Sequence, residues 1–283
     1  MAGAALTLAP PARRRRAIIP GFGIALGYTL TWLGLIVLLP LGVLILESSA
    51  IGLSGFAEVL SDPRVRHALA VSFGASFAAA LTASVFGLLI AWVLVRYRFP
   101  GRGLADAIID LPFALPTAVA GIALATLYAP HGWVGGLFST RIAFTPLGIY
   151  LALVFVSLPF TVRTLQPLIE EIDRELEEAA ATLGSSRAQT LRRVILPPLV
   201  PGLLTGFVLS FSRAVGEYGS VIFVAGNLPY VSEIAPLLIV IKLDEFDYRG
   251  ATAIAVVMLA ISFAALLVIN LIQAASRRRY GHV

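Results

Sequence analysis

Six long apolar stretches alternate with short polar segments along this chain. They cover residues 18–46, 68–95, 104–128, 142–162, 198–224 and 250–273. Each is near the ~20 residues that a helix needs to cross a bilayer. The pattern predicts an all-α integral membrane protein with six transmembrane helices, in a domain of residues 18–276 between tails 1–17 and 277–283. A further apolar run, residues 234–243, is too short to cross and is predicted to be an external or re-entrant helix.

Composition and charge support this interpretation. Hydrophobic residues make up 58% of the chain and charged residues 13%, whereas soluble domains average roughly 25% charged residues. With the N-terminus inside, 15 of the 21 Lys and Arg residues are cytoplasmic and five are external. Because cytoplasmic loops carry the excess positive charge, both termini and the polar loop 168–197 are predicted to be cytoplasmic. The arginines cluster beside apolar stretches, so lipid is the expected partner and nucleic acid is not.

The residues that carry chemistry in most enzymes are sparse. The chain has no cysteine, and its three histidines are far apart, so neither a thiolate site nor a metal site is predicted. It also lacks a glycine-rich sequence ending in lysine that could hold the phosphates of ATP. We therefore expect no catalytic residue and no cofactor on this chain. If the chain takes part in an ATP-driven process, another subunit must bind the ATP and Mg.

The polar loop 168–197 has the pattern of an amphipathic helix with defined ends. Asp173 is a predicted N-cap, and Gly184 is a predicted C′ residue. Between them, four apolar residues follow the i, i+3, i+4, i+7 spacing of one helix face: Leu176, Ala179, Ala180 and Leu183. Such a face suits either a docking helix for a partner protein or an ordinary helix at the membrane surface.

A second helix is predicted in the same loop. Ser186 and Gln189 have the spacing of a capping box, which opens a helix. Two consecutive prolines, Pro197 and Pro198, follow it. Because proline lacks a backbone N–H and clashes with the preceding turn, this helix is predicted to end there.

Two prolines interrupt the third apolar stretch. Pro112 and Pro116 predict a kink or a break. Broken helices are tolerated in membranes where they line a cavity or pack on protein, so the segment is interpreted either as part of a translocation pathway or as a packing kink. Asp106 and Asp110 lie just before it and are expected to stabilise the positive end of the helix rather than relay protons. Three arginines are their expected neighbours: Arg96, Arg98 and Arg102.

The fifth apolar stretch contains two charged residues, Arg213 and Glu217. They are four residues apart and therefore on one helix face. A charge near the bilayer centre costs roughly 2.5–3.5 kcal/mol on insertion scales, and a pair offsets part of that cost. Two interpretations remain: Arg213 faces the pathway and lowers the barrier for an anion, or the pair holds the helix against its neighbours.

The loop spacing resembles a known family. Glu178-Ala179-Ala180, then Gly184, then Leu196-Pro197 is similar to the EAA loop of binding-protein-dependent ABC importer permeases, with Val194 where the family usually has isoleucine. Further segments resemble the T-type permease subunit of bacterial sulfate/thiosulfate importers: residues 96–102, 110–121, 162–167, 209–219, 221–227 and 245–248. Molybdate permeases are similar over the same elements, but they usually have Leu-Pro-Pro-Thr-Val where this chain has Leu-Pro-Thr-Ala-Val at 115–119.

The resemblance implies a type I ABC importer permease fold in the bacterial cytoplasmic (inner) membrane. It implies that six loop residues couple the chain to an ATPase: Leu176, Glu178, Ala179, Ala180, Leu183 and Gly184. It also implies a related W-type permease as heterodimer partner, an ATPase dimer, and an external sulfate/thiosulfate-binding protein. A permease for molybdate, tungstate or another oxyanion is the alternative. A stand-alone secondary transporter is disfavoured, because Arg213 and Glu217 are its only candidate charges at membrane depth.

Overall fold

The computed structural model describes residues 21–280, with side chains described to residue 274. These residues form helices, turns and loops, and no strand occurs between 21 and 280. The prediction of an all-α protein is therefore confirmed. The chain separates into two units, residues 1–49 and 50–283.

The described part of the first unit is one long apolar helix of 28 residues, Phe22–Ser49. It comprises α1 (Phe22–Leu33), a π-helical turn (Gly34–Leu38) and α2 (Leu39–Ser49). Its length exceeds the ~20 residues that a bilayer requires, and it coincides with most of the first predicted span. The cytoplasmic tail predicted at 1–17 lies outside the described residues.

The second unit contains the other helices of the described chain. In order they are α3 (Gly52–Ser61), α4 (Pro63–Arg96), α5 (Arg102–Ile109), α6 (Leu111–Ala114), α7 (Thr117–Tyr128), α8 (Pro146–Glu171), α9 (Arg174–Thr182), α10 (Arg187–Thr190), α11 (Leu196–Val215), α12 (Val221–Val224), α13 (Ala235–Asp244) and α14 (Tyr248–Tyr280). A 3₁₀ turn at Gly135–Leu137 and a π-helical turn at Leu191–Ile195 complete them.

The core of this unit is built where α8 packs between α4 and α11. Small residues permit the close approach: a methyl group on Gly87 would lie 2.8 Å from Thr161 Cγ2, and one on Gly206 would lie 3.1 Å from Thr161 Cα. Close packing of helices through small residues is the usual arrangement in membranes. Thr161 Oγ1 also lies 2.9 Å from Ser210 Oγ, which links α8 to α11. These contacts make the three helices a firm frame for the segments at their ends.

Five helical stretches are long and apolar enough to cross a membrane: Phe22–Ser49, Pro63–Arg96, Pro146–Glu171, Arg187–Val215 and Tyr248–Ala274. The third predicted stretch, 104–128, differs because it is divided into α5, α6 and α7. Leu115 is extended, with φ −83° and ψ 133°, since the residue before a proline avoids the helical region. The predicted break therefore occurs at Leu115–Pro116, and a second interruption falls at Asp110.

The predicted end of the second loop helix at Pro197-Pro198 is wrong. Helical structure runs without interruption from Arg187 to Val215. The π-helical turn Leu191–Ile195 comes directly before the prolines, and such a turn changes which carbonyls face the next turn. The prolines occupy the first turn of α11, after this π-helical turn.

The fifth predicted stretch also differs from the structure at its end. The helix α11 stops at Val215, and Gly216 follows as its C-cap. Residues 216–220 form a turn before the short helix α12. Arg213 is thus in the last helical turn, and Glu217 lies beyond the end of the helix rather than on it.

The short apolar run at 234–243 is the ten-residue helix α13, Ala235–Asp244. Its start is held by a contact that the sequence did not reveal. Arg64 donates two hydrogen bonds to the Glu233 carboxylate, from Nε at 2.8 Å and from Nη2 at 2.6 Å. Glu233 is only 1% exposed, so a buried ion pair fixes this loop to the beginning of α4.

Candidate functional site

The loop after α8 presents a helix, α9, whose two ends are defined by local hydrogen bonds. Asp173 Oδ1 accepts a bond of 3.0 Å from the Glu175 N–H. At the other end, Ser185 N donates to the Ala180 carbonyl and Gly184 N donates to the Ala181 carbonyl, both at 3.0 Å. This is the Schellman arrangement, and Gly184 has the left-handed φ of 80° that it requires. Both predicted caps are confirmed.

Three of the four predicted face residues point outward. Leu183 is 87% exposed and Leu176 is 52% exposed, and Ala179 is exposed between them. Ala180 is different: it is 9% exposed and packs within this chain. We call Leu176, Ala179 and Leu183 the coupling face. Exposed apolar residues grouped on one side of a polar helix suit either a partner protein or the membrane surface.

The opposite side of α9 is held by Arg96 at the end of α4. Its Nη2 donates a hydrogen bond of 2.9 Å to the Ile172 carbonyl and lies 3.3 Å from Glu177 Oε1. The guanidinium also lies 5.3 Å from the centroid of the Trp92 ring, within the range of a cation–π interaction. Arg96 therefore positions the start of the loop, a role that its place in the sequence did not indicate.

The two carboxylates at the start of the broken segment have an unexpected partner. Asp106 and Asp110 bind Arg163 of α8, at 2.7 Å from Nη1 and 2.6 Å from Nη2 respectively. Arg102 is one of the charges near Asp106, as predicted, but the direct ion pairs are formed with Arg163. The reason is tertiary: packing of α5 against α8 brings together residues more than 50 positions apart.

The turn at 216–220 is organised around Glu217, which is 3% exposed. Its Oε2 pairs with Arg213 Nη1. Its Oε1 accepts two bonds from Ser220, one from the backbone N–H at 2.9 Å and one from the hydroxyl at 2.8 Å. Burial of a carboxylate is costly unless it is paired and hydrogen-bonded, and these partners meet that requirement. Arg213 keeps about a third of its side chain exposed, at 32%.

The broken segment packs directly on this turn. A methyl group on Gly219 would lie 2.3 Å from Thr117 Oγ1, and one on Gly121 would lie 2.4 Å from the Ser220 carbonyl oxygen. Since Thr117 follows Pro116, the break and the ion pair Arg213–Glu217 belong to one local arrangement. Pro112 lies apart from it, on α6, where the ring of Phe113 meets that of Phe160 at 5.0 Å.

The coupling face and the turn therefore flank a single helix. The 20 residues of α11 span about 30 Å; its N-terminal end continues from the coupling loop, and its C-terminal end carries Arg213. Among the described residues, no cluster of three or more His, Cys, Asp or Glu could hold a metal ion.

Comparison with known proteins identifies the family. Residues 83–282 match the family described as binding-protein-dependent transport system inner membrane component. The sulfate transport system permease protein CysT of Salmonella typhimurium is 48% identical over 271 residues, covering 94% of this chain and 98% of that protein. The probable sulfate transport system permease protein cysT of Nephroselmis olivacea is 52% identical, covering 89% of this chain and 90% of that protein.

A solved structure shows the same fold at low sequence identity. The crystal structure of a bacterial ABC transporter involved in the import of the acidic polysaccharide alginate superposes with a TM-score of 0.72 at 19% identity. The match covers 91% of this chain and 95% of that chain. This chain is thus a multi-pass membrane protein with the fold of an ABC importer permease, and it belongs to the family of binding-protein-dependent transport system inner membrane components.

Proposed function

We propose that this chain is the permease subunit of an ATP-driven importer of sulfate, and of thiosulfate as well. The observation that carries the coupling to a separate ATPase is the coupling face, an exposed apolar surface on a helix fixed at both ends. The cargo rests on the relatives, since sulfate permeases about half identical in sequence align over almost the whole chain. Molybdate or tungstate is the competing cargo.

The ATPase subunit is the proposed occupant of the coupling face. Burying Leu176 and Leu183 completely would contribute about 1.5–3 kcal/mol for each side chain. Ala179 permits close approach, and Glu178 and Gly184 flank the contact. The caps at Asp173 and Gly184 and the contacts of Arg96 matter because α9 can transmit a movement only if its own shape and position are fixed. ATP and Mg would bind to that partner, since this chain has no phosphate-binding loop.

The proposed pathway runs beside the break at Pro116 and the turn that holds Arg213 and Glu217. The partly exposed guanidinium lowers the electrostatic barrier for an anion. Its pairing with Glu217 cancels most of the net charge, so the site binds weakly and releases its cargo. Pro112 contributes by separating α5 from α6 and so allowing the segment to bend.

ATP drives the cycle by changing the populations of two states. ATP has to bind the outward-facing assembly more tightly than the inward-facing one. The helix α11 transmits the resulting movement of the coupling loop to the turn at 216–220. We place both termini and the loop 168–197 in the cytoplasm of a bacterium, as the distribution of Arg and Lys predicts.

Two further partners belong to this proposal. A W-type permease forms the second half of the pathway. A sulfate/thiosulfate-binding protein docks outside on loops such as residues 227–249 and supplies most of the specificity. A crystal structure of the alginate transporter in complex with a pentasaccharide-bound periplasmic protein, which superposes with a TM-score of 0.71, supports a partner of this kind.

The coupling is tested by placing a charge on the coupling face. In the double variant Leu176→Asp/Leu183→Asp, we expect loss of ATPase co-purification and of sulfate uptake, because carboxylates are costly to bury in an apolar groove. Thr182→Asp is the matched control, since Thr182 is exposed on the same helix but is not part of the coupling face. Normal co-purification and uptake in the double variant would reject the proposal.

The cargo is tested by competition. Uptake of labelled sulfate by the complete complex in vesicles is measured with an excess of thiosulfate or of molybdate. Inhibition by thiosulfate and not by molybdate is expected. Stronger inhibition by molybdate would reassign the cargo, and gradient-driven uptake by this chain alone would identify it as a secondary transporter instead.

A further inference from the structure

Arg163 lies between the two functional regions of the chain. It is about two helical turns before the end of α8 at Glu171, where the coupling loop begins. Its partners Asp106 and Asp110 lie on the other side, just ahead of the break at Leu115. One side chain therefore joins the end of α8 that leads to the ATPase with the segment proposed to line the pathway.

All five N–H donors of the Arg163 guanidinium are used. Nε donates to Asp110 Oδ1 at 2.8 Å, and Nη2 donates to Asp110 Oδ2 at 2.6 Å and to the Asp106 carbonyl at 3.0 Å. Nη1 donates to Asp106 Oδ1 at 2.7 Å and to Gln166 Oε1 at 2.6 Å. Gln166 Nε2 completes the cluster with a bond of 3.0 Å to Asp106 Oδ1.

This pattern restricts relative movement more than apolar packing does. The guanidinium is planar and its donors form a rigid fork, so a fully used fork fixes both distance and orientation. The Asp106 main-chain carbonyl is one of the acceptors, which ties the backbone of α5 itself to α8. Apolar contacts have no comparable directionality and can slide.

The exposure of the cluster argues against a mainly stabilising role. Arg163, Asp106 and Asp110 keep 31%, 41% and 47% of their side chains exposed. Ion pairs open to solvent contribute little to stability. The principal effect of the cluster is therefore geometric: α5 is held at one position on α8.

We propose that Arg163 is a positioning residue for transport, which makes α5 and the loop-bearing end of α8 move as one body. Movement of the coupling loop is thereby delivered to the start of the broken segment, at the interruption at Asp110. The inference rests on the proposed coupling to an ATPase. In physical terms, α5 and the end of α8 form one rigid element. Both the coupling loop and the broken segment influence the position of that element.

The first test measures the distance between α5 and α8 in the complete complex. The chain has no cysteine, so spin labels attach only at introduced positions, Leu104→Cys, which replaces a side chain 69% exposed, and Glu170→Cys, which is also exposed. In the native background, the distance is expected to be the same in the nucleotide-free and vanadate-trapped states. With Arg163→Gln, the distribution is expected to broaden and to differ between the states. A native distance that changes between states overturns the proposal, as does an unchanged distribution in Arg163→Gln.

The second test compares sulfate uptake with ATP hydrolysis in vesicles. For Arg163→Gln, uptake per ATP hydrolysed is expected to fall about tenfold, which is within the range of typical coupling between sites. Arg163→Lys keeps the positive charge but loses the planar set of guanidinium donors. Uptake per ATP hydrolysed is therefore expected to fall nearly as far in this variant. Arg102→Gln is the matched control, because Arg102 lies on α5 with Asp106 but its side chain forms no hydrogen bond with described residues. Parallel loss of uptake and hydrolysis, or an unchanged ratio, counts against the proposal.

The two tests separate this inference from the proposed function. If sulfate is not the cargo, uptake is absent from the native complex too, but the label distances still report on α5 and α8. If the cargo is correct and Arg163 has no coupling role, native uptake is present and the ratio in Arg163→Gln equals the native ratio.

Discussion

Gly121 lies directly against the main chain of Ser220, so that a methyl group on Gly121 would approach the Ser220 carbonyl oxygen to 2.4 Å. Through this contact α7, the last helix of the broken segment, packs closely against the turn that contains Glu217. Neither residue carries charge, yet their contact decides where the Arg213–Glu217 pair lies relative to the break. The absence of a side chain at Gly121 is therefore a requirement of the proposed pathway.

Gly121→Ala is expected to destabilise the protein by about 1–3 kcal/mol, the usual cost of overpacking a close contact. Thermal unfolding in detergent measures it. Gly74→Ala is the matched control: Gly74 is also helical, and nothing lies within 4 Å of a methyl group there. There the substitution should be neutral or stabilising, by up to about 1 kcal/mol. Equal effects at both positions would show that the contact with Ser220 does not matter.

Arg213 and Glu217 are expected to act as one unit in a double-mutant cycle. Arg213→Met leaves the buried Glu217 carboxylate without its cation, and loss of one partner of a buried pair costs roughly 3–5 kcal/mol. The variant Arg213→Met/Glu217→Gln should recover part of this loss, with an interaction energy of about 1–3 kcal/mol. The measurement is the unfolding free energy of four proteins: the native protein, Arg213→Met, Glu217→Gln and the double variant. Additive losses of stability would exclude a coupled pair.

The same four proteins distinguish the two interpretations of Arg213. If its charge lowers the barrier for an anion, sulfate uptake stays low in the double variant even where stability recovers. If the pair is structural, uptake recovers together with stability. The 32% exposure of the Arg213 side chain leads us to expect the first result.

Gly184→Ala is expected to weaken the end of α9. Its φ of 80° costs an ordinary residue about 1–2 kcal/mol, and nothing lies within 4 Å of an added methyl group, so backbone strain is the whole effect. Gly184→Asn should be milder, because asparagine tolerates this conformation. Faster hydrogen exchange at the Gly184 and Ser185 amides would report the loss of the cap. Equal exchange in the alanine and glycine proteins would contradict it.

Acid is expected to weaken the start of α14. The pKa of Asp247 lies below its ordinary value, first because its carboxylate accepts a hydrogen bond from the Gly250 N–H, at 2.9 Å, and also because Lys242 is close. A lowered pKa means that the folded state favours the ionised form, so its contribution is complete at neutral pH. It is lost as the pH falls through the folded pKa, below the ordinary 3.8.

Substitution of Asp247 tests that pH dependence. Asp247→Ala should cost about 1 kcal/mol at pH 7, as is usual for an N-cap, and the difference from the native protein should shrink in acid. Unfolding temperatures at pH 7 and near pH 3 measure this. A difference that stays constant with pH would show that the charge of Asp247 contributes nothing.

Trp133 is expected to lie at the membrane–water interface on the external side of the cytoplasmic membrane. Its side chain is 91% exposed and Leu137 beside it is 80% exposed, on the loop that follows α7. Tryptophan favours the boundary between headgroups and acyl chains. With Trp32→Phe and Trp92→Phe, Trp133 is the one remaining tryptophan of three, and brominated lipids should quench its fluorescence. Quenching by aqueous iodide alone would instead place the loop in water.

Features that depend on neighbours in sequence could be predicted well. The caps at Asp173 and Gly184 and the break at Pro116 follow from hydrogen bonds and steric clashes within about four residues. Helical periodicity also predicted the apolar face of α9, and three of its four residues are exposed. Helical periodicity places Ala180 beside Leu176, but the loop folds back so that Ala180 is buried.

Contacts between distant residues could not be predicted. Arg163 meets Asp106 across 57 positions, and Arg64 meets Glu233 across 169. Many arginines could have paired with these carboxylates. The charge of a buried or partly buried carboxylate indicates that it needs a cationic partner, but it does not indicate which residue that partner is. The continuous helix through Pro197 was missed because the π-helical turn before it is a rare irregularity that helical periodicity does not reveal.

Amino-acid order alone established an all-α membrane protein, its apolar segments, its proline break and a capped amphipathic loop, since periodicity, proline chemistry and capping are local. The packing of α8 against α4 and α11, with α5 bound to it through Arg163, decided which charges meet, which face of α9 stays open, and how the break contacts the turn after α11. Those relationships depend on helices approaching through glycine and alanine. Their distances and angles follow from the shape of the whole bundle rather than from any one segment.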